Sequence, residues 1–346
     1  MNKRVMIQWA AVSLTSFLAV IIIVPTILVK TVTPPTSVER QPESLAAQLD
    51  NQEGTSSLVI PVYLTKTKQV ESIPLEAYVR GVLAAEMPIE FELEAMKAQA
   101  MAARTYIIRR IVEQDFSNMP VTNAWVTDTI AHQAYVSDEE LKARWGTAYQ
   151  ANLDKLNLAV NETKDMILTY QQKPIQATFF STSNGYTENS EDYWNEYIPY
   201  LRSVPSPWDV KLSPRYKETT TISLKELQSK LGLRGSIPVS ANASGGLKIV
   251  QMTEGHRIKK MTIGGKTFTG REVREKLGLA SSQFQWSWKG TNLQMTTFGY
   301  GHGVGMSQWG ANGMALEGRK AEEIVKYFYT GIEINRTSNL LKGKSF

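Results

Sequence analysis

A helix that opens beside one proline and is stopped by another constrains this chain more than any other feature. Pro74 with Glu76 makes a first-turn signature, and Met87-Pro88 ends the segment. A proline further inside would remove a hydrogen bond and clash with the preceding turn, at a cost of about 3 kcal/mol. Between the two prolines Leu75, Val79, Val82 and Leu83 fall on one face at helical spacing, and Glu86 continues that stripe one turn beyond Val82. A carboxylate that closes an apolar face is held away from water. Burial disfavours its charged form and raises its pKa, as a general acid working near neutrality requires. A last-turn glutamate that swings into solvent is the competing reading.

A second helix is expected from Phe91 to Val112, with Glu92 and Glu94 in its first turn and Arg109 and Arg110 in its last. Its middle, from Ala95 to Ala103, is small-sided and lets another element approach closely. Leu93, Ala100, Ile107 and Ile111 share a face with Lys97 and Arg104. Arg104 either binds an anionic substrate group or pairs with a nearby acid, and physical chemistry slightly favours the pair.

With 346 residues, 42% hydrophobic and 21% charged, the chain builds one large or two ordinary globular domains. Its net charge of +5 favours anionic partners such as nucleic acid, a membrane surface or cell-wall polymers. No basic run or nucleic-acid motif is present, so nucleic acid is set aside. The absence of cysteine excludes disulfides and thiolate metal sites and fits an exported bacterial protein. Residues 1–6 carry Lys3 and Arg4 ahead of an uncharged run over 7–29, long enough to cross a bilayer. The reading is a short cytoplasmic N-terminus, a transmembrane signal anchor at 7–29, a Pro/Ser/Thr/Gln-rich linker over 30–57, and an extracytoplasmic domain over 58–346. A cleaved signal peptide is the alternative.

The folded part is expected to be α+β: helices around Glu86 and antiparallel strands, with an insert over 213–290 that lines a cleft or extends the core. Strands are read at 58–64, 69–73, 166–170 and 175–180, and one helix from Asp138 to about Thr163. Asp128 and His132 have ligand-like chemistry, but two residues do not make a metal site, and a hydrogen-bonded structural histidine is the better reading. The turn from Ser181 through Asn184-Gly185 is dense in groups suited to sugar hydroxyls or to an ordinary hydrogen-bonded turn. From 191 to 217, Tyr193, Trp194, Tyr197, Tyr200 and Trp208 interleave with Arg202 and Lys211. They make either a glycan platform or a satellite cluster beneath a long loop. Glycines at 299, 301, 303 and 305 alternate with Tyr300, His302 and Val304, which would project to one face if the segment is extended. The spacing fits neither a dinucleotide fingerprint nor a nucleophile elbow around Ser307.

Together, Leu83-Ala-Ala-Glu-Met-Pro, Lys97-Ala-Gln-Ala-Met-Ala-Ala-Arg-Thr-Tyr and Gly301-His-Gly-Val-Gly-Met-Ser-Gln-Trp-Gly-Ala resemble the stage II sporulation protein D family and its amidase-enhancer relatives. Phe180-Ser-Thr-Ser-Asn-Gly-Tyr-Thr-Glu and Tyr200-Leu-Arg-Ser-Val-Pro-Ser-Pro-Trp-Asp match the same pattern, so the resemblance covers 58–335. It implies a membrane-anchored lytic transglycosylase of peptide-stripped peptidoglycan, acting in forespore engulfment from the mother-cell membrane. The implied partners are glycan strands, a sporulation amidase and other engulfment membrane proteins.

The resemblance further implies Glu86 as the single catalytic acid, with no cofactor and no metal. Substrate contacts carried over by motif are Gln99, Arg104, Ser181, Asn184, Tyr200, Arg202, Asp209, His302, Ser307 and Gln308. Arg104 would pair with Glu86 or with the glycan's lactyl carboxylate, while Tyr200, Arg202 and Asp209 would line the groove. A non-catalytic wall-binding enhancer of a partner amidase is the alternative. A serine or metal-dependent wall hydrolase is weaker, since neither triad spacing nor a ligand cluster supports it.

Overall fold

The computed structural model describes residues 58–234 and 246–342. The expected cytoplasmic stretch 1–6, anchor 7–29 and linker 30–57 lie outside the described residues. Among those described, no helix is long and apolar enough to cross a membrane. The fold is mixed α+β, with several small sheets in place of one large one.

The described chain opens with an antiparallel hairpin, Val59–Leu64 on Gln69–Pro74, in which Ile60 faces Ile73. Ile60, Val62 and Ile73 are buried, so alternation seats one face of the hairpin on the core. Val126–Thr127 adds a third strand, parallel to the first. Pro74 is both the last strand residue and the N-cap of the Leu75–Glu86 helix, and its φ of −53° suits this junction. That helix buries the expected stripe and Tyr78 besides. It packs on the Leu93–Glu113 helix, whose buried Ala95, Ala98, Ala102 and Ala103 permit close approach on several sides. Helices Tyr149–Glu162, Gln308–Leu316 and Ala321–Phe328 and the strand Met166–Tyr170 all dock there.

Three local expectations change: of the strand read over 175–180 only Phe179–Phe180 is a strand, and two others follow. The single helix over 138–163 is two helices, Asp138–Trp145 and Tyr149–Glu162. Gly146, at φ +53°, ends the first of them in a conformation that side-chain-bearing residues rarely adopt. Nor is the glycine-rich stretch an extended strand. Gly299, Gly301, Gly303 and Gly305 all have φ between +80° and +118°. A Cβ on Gly305 would stand 2.1 Å from the Thr178 carbonyl oxygen, so the glycines let this segment thread between other backbones. Met306–Ser307 then pairs in parallel with Phe179–Phe180 and leads into the Gln308–Leu316 helix.

A second apolar core, including Ile222, Leu247, Met261, Phe284 and Leu293, lies apart from the main one. Two antiparallel three-stranded sheets and the helices Leu224–Leu231 and Gly270–Leu277 enclose it. The strand that closes it, Asn292–Phe298, runs past the boundary expected at 290. The main core resumes at Val304 and Met306.

Candidate active site

Glu86 is the last residue of its helix, and three distant pieces of chain close around it. The first is the loop that ends at Val136. Tyr135 stacks on Tyr78 with ring centroids 5.7 Å apart and lies against Gly81, where a Cβ would stand 2.3 Å from the ring. The Tyr78 hydroxyl donates to Gln133 Oε1 at 3.2 Å. Loop and helix so joined, Ala134 N–H donates to Glu86 Oε1 at 3.1 Å. The second piece is the Gln308–Leu316 helix. Its Trp309 meets the edge of Phe91 at 4.6 Å, and Asn312 Oδ1 accepts from Glu92 N–H at 2.8 Å, which brings Gln308 beside Glu86. The third is the end of the Asp138–Trp145 helix, whose Arg144 and Trp145 complete a cleft of about 390 Å³. Glu86, Pro88 and Ile89 line it, together with the exposed Glu90.

Burial pushes the Glu86 pKa above its ordinary value, opposed in part by the Ala134 N–H and the Gln308 amide. Gln308 Nε2 finds no partner of good hydrogen-bond geometry, so its pull on the carboxylate is weak and burial prevails. The arrangement offers a carboxyl that stays protonated above the usual range on the wall of an open cleft. Such a group can donate a proton to a leaving oxygen.

A family model described as stage II sporulation protein matches residues 63–170, which include Glu86. The stage II sporulation protein D of Bacillus subtilis (strain 168) is 46% identical over 344 residues, 96% of this chain and 97% of that one. The chain belongs to the stage II sporulation protein D family. The protein of that name from Bacillus amyloliquefaciens is 50% identical over 288 residues, 83% of this chain and 81% of that one. An amidase enhancer of Bacillus subtilis (strain 168) is 29% identical over 301 residues, 73% of this chain and 39% of that protein.

In this member of the stage II sporulation protein D family, several residues expected at the substrate make internal contacts. Arg104 is fully buried and donates through Nε and Nη2 to the Glu76 carboxylate, at 3.1 and 2.6 Å, and through Nη1 to the Met166 carbonyl at 3.1 Å. Glu76 lies ten residues before Glu86 on one helix, about 15 Å along its axis. The pair with a nearby acid therefore holds, and that acid is Glu76, not Glu86 or a substrate carboxylate. Asp209 is likewise buried rather than groove-lining. Its carboxylate accepts from Ser183 N–H at 2.7 Å, from the Ser206 hydroxyl at 2.6 Å and from the Ser307 hydroxyl. Burial raises its pKa and those bonds oppose the rise. Ser307, also buried, caps the Gln308–Leu316 helix by accepting from Gly310 N–H, so its hydroxyl is no free nucleophile.

Tyr200 points its hydroxyl at Gln176 N–H (2.9 Å) and packs on Tyr170. Arg202 donates to Glu191 at 2.8 Å, to Ser190 and to the Ile198 carbonyl, and lies over the Tyr197 ring. That pairing holds Glu191 down to about 2. Both residues, expected to line the groove, are partly buried and make these internal contacts. His302 accepts from Val304 N–H at Nδ1, which leaves Nε2–H to donate to the Phe179 carbonyl at 3.1 Å. Enclosed by Phe180, Tyr193 and Trp194, its pKa is pushed down to about 3, chiefly by burial, and the ring is neutral. Here the aromatic segment packs as a cluster.

Asn184 makes an Asx turn with Tyr186 N–H and donates to the Gly255 carbonyl, and Ser181 bonds Thr182. Gln99 is fully buried, and neither of its amide atoms has a partner. His132 is the hydrogen-bonded structural histidine expected: Nδ1 meets the Thr127 hydroxyl at 2.9 Å and Nε2 the Ser117 carbonyl. Among the described residues no group of three His, Asp or Glu gathers as a metal site. Sequence reading missed Ala134, Arg144 and Trp145. The contribution of Ala134 is its backbone, which no residue type announces, and the other two reach the cleft from the last turn of a helix nearly 60 residues along the chain from Glu86.

Proposed function

We propose that this protein is a peptidoglycan lytic transglycosylase acting on peptide-stripped glycan strands during engulfment, with Glu86 as its acid. The observation that carries this reading is the raised, half-buried carboxyl on the wall of an open cleft. Protonated Glu86 gives its proton to the oxygen between N-acetylmuramic acid and N-acetylglucosamine as the C1–O bond breaks. The C6 hydroxyl of the same muramic residue attacks the oxocarbenium carbon, and Glu86, now a carboxylate, takes the hydroxyl proton. The products are a 1,6-anhydro end and a free N-acetylglucosamine hydroxyl, and Glu86 is protonated again. Because the nucleophile belongs to the substrate, no second carboxylate is required, unlike the paired arrangement of glycoside hydrolases. Glu90, exposed in the same cleft, is then dispensable.

The test is cleavage of peptide-free glycan strands by three proteins. Glu86→Gln is expected to lose at least about 100-fold in rate while keeping its fold, the minimum general-acid contribution. Glu90→Gln is expected to cleave as the parent does. Turnover retained in Glu86→Gln would sink the assignment. The likeness to an amidase enhancer supports a second reading, a non-catalytic wall-binding protein that activates a partner amidase. Glycan bound but uncut, with a sporulation amidase accelerated, would favour it. On either reading the domain over 58–346 works outside the membrane, held by residues 7–29 among the other engulfment membrane proteins.

A further inference from the structure

The charge of this chain is unevenly shared. From Lys217 to Phe298, the stretch that builds the second core, 13 Lys and Arg stand against 5 Asp and Glu. That stretch is net +8 in a chain of net +5, so the remainder together is net −3. The sheet of Leu247–Met252, Ile258–Ile263 and Lys266–Thr269 forms one wall of this core. Leu247, Met261, Ile263 and Phe268 are buried on its inner face. The alternate residues make two rows on the other face, Lys248 beside Thr262 and Thr267, then Gln251 beside Lys260 and Thr269. No acid stands in either row. Lys248, Gln251, Lys260 and Thr267 are exposed, so no described element covers them. The ion pairs of this stretch engage Lys230, Arg257, Lys259 and Arg271 and leave Lys248 and Lys260 without one. Leu247–Met252 is an edge strand, on which Ile249, Val250 and Met252 are 37%, 53% and 43% exposed. Its register shifts on both sides of Gln251. A lysine and a broken register defend an edge against strand addition, so a partner strand is not what these apolar side chains fit.

We propose that this edge and face dock the second core onto an anionic lipid bilayer. A bilayer surface offers two things together, phosphate headgroups for cations and an acyl boundary for apolar side chains. Lys248 and Lys260 meet the first, and Ile249, Val250 and Met252 meet the second. A soluble polyanion would use the lysines alone and leave the aliphatic groups in water. The net negative remainder of the chain is repelled by the same surface, so the field of the molecule turns the second core toward it. With residues 7–29 in the membrane, as proposed above, the 28 residues of linker reach at most about 100 Å and keep this core within range. The inference takes only proximity from that anchoring, and it is independent of the transglycosylase chemistry.

Hydrogen exchange of the full chain reconstituted in vesicles tests it, with phosphatidylcholine alone against an equal mixture of phosphatidylcholine and phosphatidylglycerol. The expected result is slowed exchange over 247–252 on the mixed vesicles only, lost in 1 M salt, where the Debye length falls to about 3 Å. Each lysine near such a surface is worth about fivefold in binding, so Lys248→Gln with Lys260→Gln should weaken docking about 25-fold and exchange as on neutral vesicles. Val250→Asp should do the same with both lysines in place. All three positions are exposed, and the contrast between the two vesicles on the parent protein decides should a variant not fold. Equal exchange on both vesicles would overturn the proposal. So would equal slowing by soluble polyphosphate without lipid, which would assign the lysines to a phosphate polymer. A chain that does not stay with neutral vesicles sinks the anchor, while slowing over 247–252 on the mixed ones still upholds the docking surface.

Discussion

The carboxyl of Glu86 is costly to ionise in place, and that has consequences for stability as well as for catalysis. Burial raises its pKa in the folded state above the unfolded value. Its contribution to stability is therefore full below the unfolded pKa and is lost as pH rises through the folded one. At alkaline pH an ionised Glu86 weighs against the fold. Glu86→Gln should then melt above the parent at pH 8, and the gap should close at pH 4; thermal unfolding at the two values checks it. A variant less stable at both would mean that the carboxylate is a structural partner of Ala134 instead. Arg104 gives the opposite case. Glu76→Ala strands a buried guanidinium, and urea unfolding should show a loss of about 3 kcal/mol with cleavage per folded molecule unchanged. Glu86 was legible because its evidence is local, an acid in phase with an apolar stripe. The partner of Arg104 was not, since Glu76 lies 28 residues away and helical phase does not say which acid a buried cation meets. Asp209 misled for a related reason: a polar motif reads as a groove until Ser183, Ser206 and Ser307 are seen to converge on it.

At the scale of elements, Gly81 couples the Leu75–Glu86 helix to the loop that carries Ala134. Alanine is the better helix former by about 1 kcal/mol, so propensity alone predicts that Gly81→Ala stabilises. Contact predicts the reverse. The new Cβ would lie 2.3 Å from Tyr135 and 2.8 Å from the Val136 carbonyl, and overpacking of this kind costs about 1–3 kcal/mol. We expect a lower melting temperature and slower cleavage, because Ala134 N–H moves off Glu86; a more stable, fully active variant would show the loop to be unimportant. The helices over 75–86 and 93–113 and the first hairpin were readable from periodicity. The break at Gly146 and the left-handed glycines over 299–305 were not. Both depend on backbone angles that a glycine permits without requiring.

At the scale of the whole molecule, the glycine track ties the two cores together, passing Arg257 at Gly303 and ending at Gln308 beside Glu86. The second core takes in Asn292–Phe298, beyond the 290 boundary read from sequence, because that strand runs straight into the glycines. In this geometry the cleft beside Glu86 carries one raised acid and one exposed glutamate, and the proposed function turns on which oxygen attacks the sugar. Cleavage of peptide-free strands in ¹⁸O-water, read by mass spectrometry of the new ends, decides it. The account predicts 1,6-anhydro-N-acetylmuramic ends that carry no ¹⁸O and vanish with Glu86→Gln. Reducing ends that carry ¹⁸O would mean hydrolysis by water with a second catalytic group, and would contradict it.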